Sequence, residues 1–236
     1  MSLANPLARL LRQEDPPFFT PTGLNRECYL DLMELSLAGY TVEKIRSMMP
    51  NPGEPVEDIQ AFSRIALLLG ILLANGRKQA HRDLFVEMMD LCTFTVSRKK
   101  GDTRNDFSVK EIMLALRGVK KLFSNSQMQT WLDEMARVDP RQNYTEFLKH
   151  PDDPPLHNIN IYNMAGEYLR ELEGLTSTDA YFDLHWPMQL KRFDENGMYM
   201  DPNCPMLYDL TTRCQIELIL GQGYGGPYAQ TLDEKL

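Results

Sequence analysis

The sequence predicts an all-α protein, and three observations lead to that fold class. Apolar residues recur every three or four positions along most of the chain, which is the period of an amphipathic helix. Runs of alternating apolar and polar residues, which are typical of strands, are scarce. Helix stop signals such as Asn75-Gly76 and Asp139-Pro140 separate the periodic segments. About eight long helices joined by loops therefore account for the chain.

Five helices are predicted in the first part of the chain, each from apolar residues that share one face. They run over 24–39, 57–75, 80–98, 105–119 and 126–138. The second half of the 57–75 helix is apolar over most of its surface, which predicts a buried helix. We expect the fourth helix to begin at Asn105 or Asp106, because short polar side chains accept hydrogen bonds from free N–H groups at helix starts.

A segment rich in proline and aspartate, 139–158, lacks a helical period and is predicted to be a long irregular loop. Long loops in compact domains often carry function. The predicted helices resume at 159–175, 179–193 and 206–221. Ser177 or Thr178 is expected to cap the second of these helices, and Pro187 is expected to kink it.

The end of the chain carries the start of a further predicted helix, in which Pro227 fits the first position. Three apolar side chains then fall on one stripe, which stops at the last residue: Tyr228, Leu232 and Leu236. We therefore expect the sequence to be part of a longer protein. Within it, residues 1–236 are predicted to form a single helical domain, with 1–22 as an N-terminal extension.

The predicted helices bury their apolar faces either in an irregular bundle or in successive hairpins that form a solenoid or a closed toroid. Helix pairs recur about every 45–55 residues, which is longer than the repeats of regular helical solenoids. No internal repeat of the sequence matches this spacing. The prediction is therefore an α/α toroid, an incomplete barrel of the (α/α)6 type.

Charge and composition argue against several functional classes. The 236 residues carry 25 Lys and Arg against 33 Asp and Glu, a net charge of −8. Duplex binding needs a basic surface that neutralises phosphates, and the longest basic run is Arg98-Lys99-Lys100. We therefore expect no nucleic acid partner. With 43% hydrophobic residues, the chain has the composition of a folded domain.

Signals for membranes, secretion and metals are also weak. The longest apolar run, 65–74, is shorter than the roughly 20 residues that cross a bilayer, so no membrane span is expected. The first residues lack the features of a secretory signal. Because a signal can be removed, the compartment stays open between cytoplasm and periplasm. The four cysteines form no CxxC pair, so neither a metal nor a cofactor is predicted.

The region after residue 157 is the strongest candidate for a functional surface. Four polar side chains would share one face of its helix: Asn160, Asn163, Glu167 and Arg170. Asparagine is unfavourable inside helices, so two of them on one face indicate a surface that binds hydroxyl groups. The alternative is that Asn160 only caps the helix start.

Further candidates lie at Asp106 and in the last third of the chain. Asp106 precedes Lys110 by one turn, which is typical either of a helix cap with a surface ion pair or of an acid whose pKa the lysine tunes. Two tyrosines and two aspartates lie within eleven residues, more than turn chemistry requires: Tyr199, Asp201, Tyr208 and Asp209. The glycine-rich stretch after residue 221 adds Tyr224 and has no phosphate-binding spacing.

Three segments of the sequence resemble one group of bacterial proteins. They are DFSVKE at 106–111, NINIYNMAGE at 158–167 and FDENGMYMDP at 193–202, the last continuing to Tyr208-Asp209. These segments are similar to uncharacterised bacterial relatives, many from Bacteroides, of the α/α-toroid glycoside hydrolases and polysaccharide lyases, including heparinase-like and unsaturated glucuronyl hydrolase enzymes. The resemblance implies a toroid whose inner helices and loops form a cleft for an oligo- or polysaccharide.

The resemblance favours a glycoside hydrolase, which needs two carboxyl groups, one as acid and one as base or nucleophile. The candidates are Asp106, Glu167, Asp201 and Asp209. The expected saccharide-binding residues are His157, Asn158, Asn160, Asn163, Tyr199, Tyr208 and Tyr224.

Two alternatives stay open at this point. A polysaccharide lyase acting on a uronate would use His157 and Tyr199 to remove the proton next to the carboxyl group. A non-catalytic glycan-binding or scaffold protein would pack the Asn160 face against other helices, with the four carboxylates pointing in unrelated directions.

Overall fold

The structure is a computed structural model that describes residues 23–51, 53–145 and 157–236. These ranges are helical apart from turns and loops and one isolated β-bridge between Phe193 and Tyr199, which confirms the predicted all-α class. The helices are α1 (Arg26–Ser36), α2 (Val42–Ser47), α3 (Ile59–Ala74), α4 (Arg82–Arg98), α5 (Thr103–Val119), α6 (Asn125–Ala136), α7 (Pro140–Asn143), α8 (Asn158–Leu172), α9 (Asp179–Leu190), α10 (Pro205–Gly221) and α11 (Ala229–Asp233). The predicted extension 1–22 and most of the predicted loop lie outside the described ranges.

Local signals fix the ends of several helices. Asn25, Asp58 and Ser124 precede α1, α3 and α6, and each accepts a hydrogen bond from a backbone N–H of the first turn. At its other end α3 stops at the predicted Asn75-Gly76 pair, where Gly76 has a φ of +76°. The corresponding predicted bounds are correct to within a few residues because their determinants are local in sequence.

The predicted start of α5 at Asn105 or Asp106 is wrong. The helix begins after Asp102, whose Oδ1 accepts the N–H of Arg104 at 2.9 Å. Asn105 instead turns inward and donates from Nδ2 to the carbonyl groups of Lys99 and Asn143, both at 3.0 Å. Asn105 is therefore bound inside the protein, and Asp102 caps the helix, although Asp102, Asn105 and Asp106 are all suitable cap residues.

The predicted start of α9 at Asp179 is correct, whereas the predicted place of Pro227 is wrong. Of the two predicted caps of α9, Ser177 accepts the N–H of Asp179 with its hydroxyl oxygen at 3.4 Å, while the Thr178 hydroxyl donates to Glu171 at 2.5 Å. Pro227 lies before α11 rather than at its first position, since that helix begins at Ala229. Within the predicted irregular loop, residues 140–143 form the single turn α7.

Four of the longer helices pack side by side in the order of the chain. Helix α3 packs against α5, α5 packs against α8, and α8 packs against α10. We call these four helices the central layer. Helices α4 and α6 contact each other, and α4 also contacts α3 and α5. Of the helices between members of the layer, α4 packs against α3 and α5, and α6 packs against α4.

Two hydrophobic clusters hold the helices together. The first is built around α3 to α6 and includes Phe85 and Trp131, while the second lies among α8, α9 and α10 and includes Trp186. Leu169 of α8 belongs to the first cluster, and Leu218 of α10 packs against both. Since burying one large apolar side chain is worth about 1.5–3 kcal/mol, these shared residues tie the two clusters energetically.

Helix α3 is strongly apolar and lies in the central layer. Arg64 is its single charged residue, and its side chain is exposed, in contrast to the buried residues on either side of it. Across the described ranges, no helix combines the length and the apolar character that crossing a bilayer requires.

Candidate functional site

The polar face of α8 is buried in the protein rather than exposed. Its Asn160, Asn163, Glu167 and Arg170 are each at most 2% exposed. The Asn160 Oδ1 accepts the N–H of His157 at 3.1 Å, while the His157 side chain accepts an N–H from the first turn of α8. These two residues thus form a reciprocal cap of the helix.

Asp106 is completely buried and connects several parts of the chain. Its Oδ1 accepts a hydrogen bond from Asn163 Nδ2 at 2.9 Å, and its Oδ2 accepts the N–H of Thr145 at 3.0 Å. The Asn163 Oδ1 accepts in turn from the hydroxyl of Tyr181, whose ring lies 4.3 Å from that of His185. Both oxygens of Asp106 therefore serve to hold α5, α8 and the chain before residue 146 together.

Glu167 belongs to a second buried group of polar side chains. Its Oε1 accepts from the Tyr144 hydroxyl at 2.6 Å, and its Oε2 pairs with Arg170 Nη1 at 2.6 Å. The other Arg170 nitrogen, Nη2, donates to the Val138 carbonyl at 2.8 Å. Burial raises the pKa of Tyr144, which keeps its hydroxyl protonated as a donor. Glu167 has both oxygens occupied, as Asp106 does.

Asp201 anchors the starts of two helices. Its Oδ2 accepts the N–H of Asn158 at 2.9 Å, at the start of α8. Its Oδ1 accepts the N–H of Asn203 at 2.8 Å, just before α10. Because the residue is 1% exposed and both oxygens accept backbone hydrogen bonds, this arrangement favours a structural role.

The side chain of Asp209 binds the backbone of Tyr199. The Asp209 Oδ1 accepts the N–H of Tyr199 at 2.7 Å, and its carboxylate pairs with Arg213 at 3.0 Å. The Tyr199 ring is buried, its hydroxyl donates to Gln189 Oε1 at 2.5 Å, and burial raises its pKa. Removal of a substrate proton needs an accessible, deprotonated tyrosine, so this environment does not favour the lyase alternative.

The remaining predicted binding residues are Asn158, whose N–H already binds Asp201, together with Tyr208 and Tyr224. Asn158 Nδ2 donates to the hydroxyl of Thr211 at 3.5 Å. Tyr224 is half-buried, with its ring 5.3 Å from that of Phe182 in the second cluster, and Tyr208 is half-buried at the start of α10. The predicted site residues are therefore distributed over several hydrogen-bonded groups, and their roles in binding and catalysis stay predictions.

A different cluster of ionisable side chains lies on the central layer. Lys110 Nζ lies 3.4 Å from Glu111 Oε1 and 4.4 Å from the centroid of the Tyr162 ring. Lys110 is 8% exposed and Glu111 is 6% exposed, and within the described ranges Glu111 Oε2 is buried without a hydrogen-bond partner. We call Arg64, Lys110, Glu111 and Tyr162 the amine–carboxyl site.

Burial controls the charges in the amine–carboxyl site. It lowers the pKa of Lys110, against the attraction of Glu111, and raises the pKa of Glu111, against the attraction of Lys110 and Arg64. Desolvation thus favours the neutral amine and the neutral acid. Ionisable groups shifted in this way by burial and by a named neighbour are candidates for function.

The amine–carboxyl site was missed by sequence reasoning, which paired Lys110 with Asp106. In the structure the Lys110 amine faces its neighbour in sequence, Glu111. Two signals were available in the sequence. Arg64 is the only charged residue of the apolar helix α3, and Lys110 and Glu111, which have opposite charges, are adjacent in α5. Neither signal reveals that α8 covers the pair.

An open groove of about 620 Å³ is lined by residues of α10, among them Cys214 and Glu217, and by Asp233 and Leu236. Cys214 of α10 lines this groove and acts electrostatically on Lys110. A second groove, of about 430 Å³, lies at the start of α3 between Tyr40, Met48 and Phe62. Neither groove is lined by the four predicted catalytic carboxylates.

Within the described ranges, no three His, Cys, Asp or Glu side chains are grouped as metal ligands would be. The chain matches no protein family, no curated protein and no solved structure.

Proposed function

We propose that this chain is part of an α/α toroid that acts as a glycoside hydrolase on an oligo- or polysaccharide. The side-by-side packing of α3, α5, α8 and α10, with other helices between them along the chain, supports the toroid, because inner and outer helices follow one another along the chain in such a fold. The resemblance of three sequence segments supports the activity. The amine–carboxyl site is the proposed position of the chemistry, since α3, α5 and α8 each contribute a side chain to it.

Glu111 carries this proposal as the acid that protonates the leaving group. Its pKa is raised by burial, and its Oε2 has no hydrogen-bond partner among the described residues. A proton on that oxygen would be available to a glycosidic oxygen, which is the role of the first carboxyl group in glycoside hydrolysis. The half-buried ring of Tyr162 would contribute an apolar contact beside it.

A non-catalytic helical protein is the second candidate function, and one observation favours it. Asp106, Glu167 and Asp201 are buried, and every one of their carboxylate oxygens accepts a hydrogen bond from the protein. Such saturation is typical of carboxylates that stabilise a fold. In that case a glycan would bind without being cleaved.

The test of the proposed hydrolase compares the wild-type chain with Glu111→Gln on a panel of neutral and acidic polysaccharides. New reducing ends would be counted by a colorimetric assay, and binding would be measured by affinity electrophoresis. We expect Glu111→Gln to lower the rate by at least about 100-fold, the low end of general acid catalysis, with binding retained. Because the acid must be protonated, the wild-type rate should fall as pH rises through the raised pKa of Glu111.

Glu195→Gln is the matched control, since Glu195 is exposed and lies in the loop before α10. It should leave the rate unchanged. Binding without turnover by the wild-type chain would support the non-catalytic candidate instead. Full turnover by Glu111→Gln would remove Glu111 from the mechanism. If the wild-type chain neither binds nor cleaves any polysaccharide of the panel, the proposed function is overturned.

A further inference from the structure

Lys110 has the surroundings of a reactive amine. The residue is 8% exposed, and its Nζ has one carboxyl oxygen at 3.4 Å and one aromatic ring at 4.4 Å as close neighbours. Lysines usually keep more of the side chain in water and bury only the stem. Burial to this extent, together with the electrostatic effect of Arg64 as a second cation, favours the neutral amine, which is the nucleophilic form.

We propose that Lys110 is a nucleophile that condenses with the carbonyl group of a small aldehyde or ketone, with Glu111 transferring the protons. The open-chain form of a reducing sugar belongs to this chemical class. The proposal goes beyond glycan hydrolysis and does not depend on it.

The reaction is balanced by the two groups of the pair and the carbonyl compound. The neutral Lys110 amine attacks the carbonyl carbon, so that a C–N bond forms and the carbonyl oxygen takes up a proton from Glu111. The nitrogen then loses its protons to the Glu111 carboxylate, which returns one to the hydroxyl group. That group leaves as water and an imine remains, while Glu111 is again protonated. The unpartnered Glu111 Oε2 is suited to this exchange of protons.

The test is reductive trapping of the wild-type protein. The folded chain would be incubated with glycolaldehyde and sodium cyanoborohydride at pH 7, and peptide mass spectrometry would measure the modified fraction of each lysine with time. We expect Lys110 to be modified faster than Lys121 and Lys191, which are exposed. In a pH series, the rate at Lys110 should rise at a lower pH than the rate at these two.

Two variants separate this chemistry from simple access to the amine. Glu111→Gln should slow the modification of Lys110 by at least about tenfold, because the proton transfers are lost, and should leave Lys121 unaffected. Glu195→Gln should change neither rate. Circular dichroism would check that each variant is folded, and the comparison of lysines within the wild-type chain needs no variant at all.

The outcomes decide the proposal independently of glycan hydrolysis. Modification of Lys110 no faster than that of Lys121 would overturn it. Equal rates at Lys110 in the wild type and in folded Glu111→Gln would overturn the role of Glu111. Fast trapping at Lys110 in a protein that cleaves no polysaccharide would leave this inference standing and remove only the proposed hydrolase.

Discussion

His185 shows how strongly burial changes a single ionisable side chain. It lies in α9, fully buried against the ring of Tyr181, and this burial lowers its pKa to about 4. The unfolded chain holds this histidine near its ordinary pKa of 6.5. Since the folded protein binds the proton less well than the unfolded chain, stability from this group is complete above pH 6.5 and is lost as pH falls towards 4.

We therefore expect the free energy of unfolding to fall by about 3 kcal/mol between pH 6.5 and pH 4 on account of His185, at about 1.4 kcal/mol per pKa unit. Urea unfolding at several pH values would measure this. His185→Phe should reduce the slope in that range, whereas His81→Gln, at a half-buried histidine, should keep it. Equal slopes in the wild type and His185→Phe would show that another group is responsible.

The polar residues of α8 could be found from the sequence, but their partners could not. Spacing alone placed Asn163 and Glu167 on one face, and the structure brings both into buried networks. Their partners are Asp106, 57 positions away, and Tyr144, 23 positions away. Because no local rule connects such distant residues, the sequence could not distinguish a ligand-binding face from a face that binds other helices.

At the scale of elements, α8 and α5 approach each other closely at Gly166. A Cβ atom on this residue would lie 3.1 Å from the backbone nitrogen of Lys110 and 3.3 Å from a methyl carbon of Val109. Backbone cannot move aside as a flexible side chain can. Glycine is thus required here by the distance between two helices of the central layer.

Gly166→Ala should destabilise the protein by about 1–3 kcal/mol, the usual cost of adding a methyl group to a packed contact. Gly118→Ala is the matched control, because Gly118 also lies in a helix and its Cβ would meet nothing within 4 Å. That change should be stabilising by about 0.4–1 kcal/mol. Thermal unfolding of both variants would measure the difference, and two equal shifts would contradict the close approach.

The sequence predicts that these helices form, because the apolar period and the cap residues are both local features of the chain. Cap choice was less certain: Asp102, Asn105 and Asp106 are all suitable residues, and the contact of Asn105 with Asn143 decided between them. No sequence pattern predicts that α5 packs against α8, which follows it only after the segment 139–158. Such pairing depends on which faces match after folding, and here it includes the contact of Asp106 in α5 with Asn163 in α8.

At the scale of the whole molecule, the two tryptophans report on different clusters. Trp131 lies in the first hydrophobic cluster, where its Nε1 donates to Asp90 at 2.6 Å, and Trp186 lies in the second. Both rings are completely buried. The chain contains two tryptophans in total, so each single replacement leaves one reporter.

We expect the two clusters to unfold together, because α8 contributes side chains to both. In Trp131→Phe and in Trp186→Phe, the urea midpoint of the remaining tryptophan fluorescence should equal the midpoint of far-ultraviolet circular dichroism. The two variants differ in stability, so the comparison is made within each one. Separate midpoints in either variant would show two units that unfold independently.

The polar networks of α8 also fix how far this helix can slide along α5. A displacement by one helical turn, about 5.4 Å, would take Asn163 away from Asp106 and Glu167 away from Tyr144. Each buried polar group left without a partner costs about 1–3 kcal/mol. Aliphatic side chains would tolerate such a slide much better, since apolar contacts are not directional. The buried amides and carboxylates therefore select a single register between the two helices.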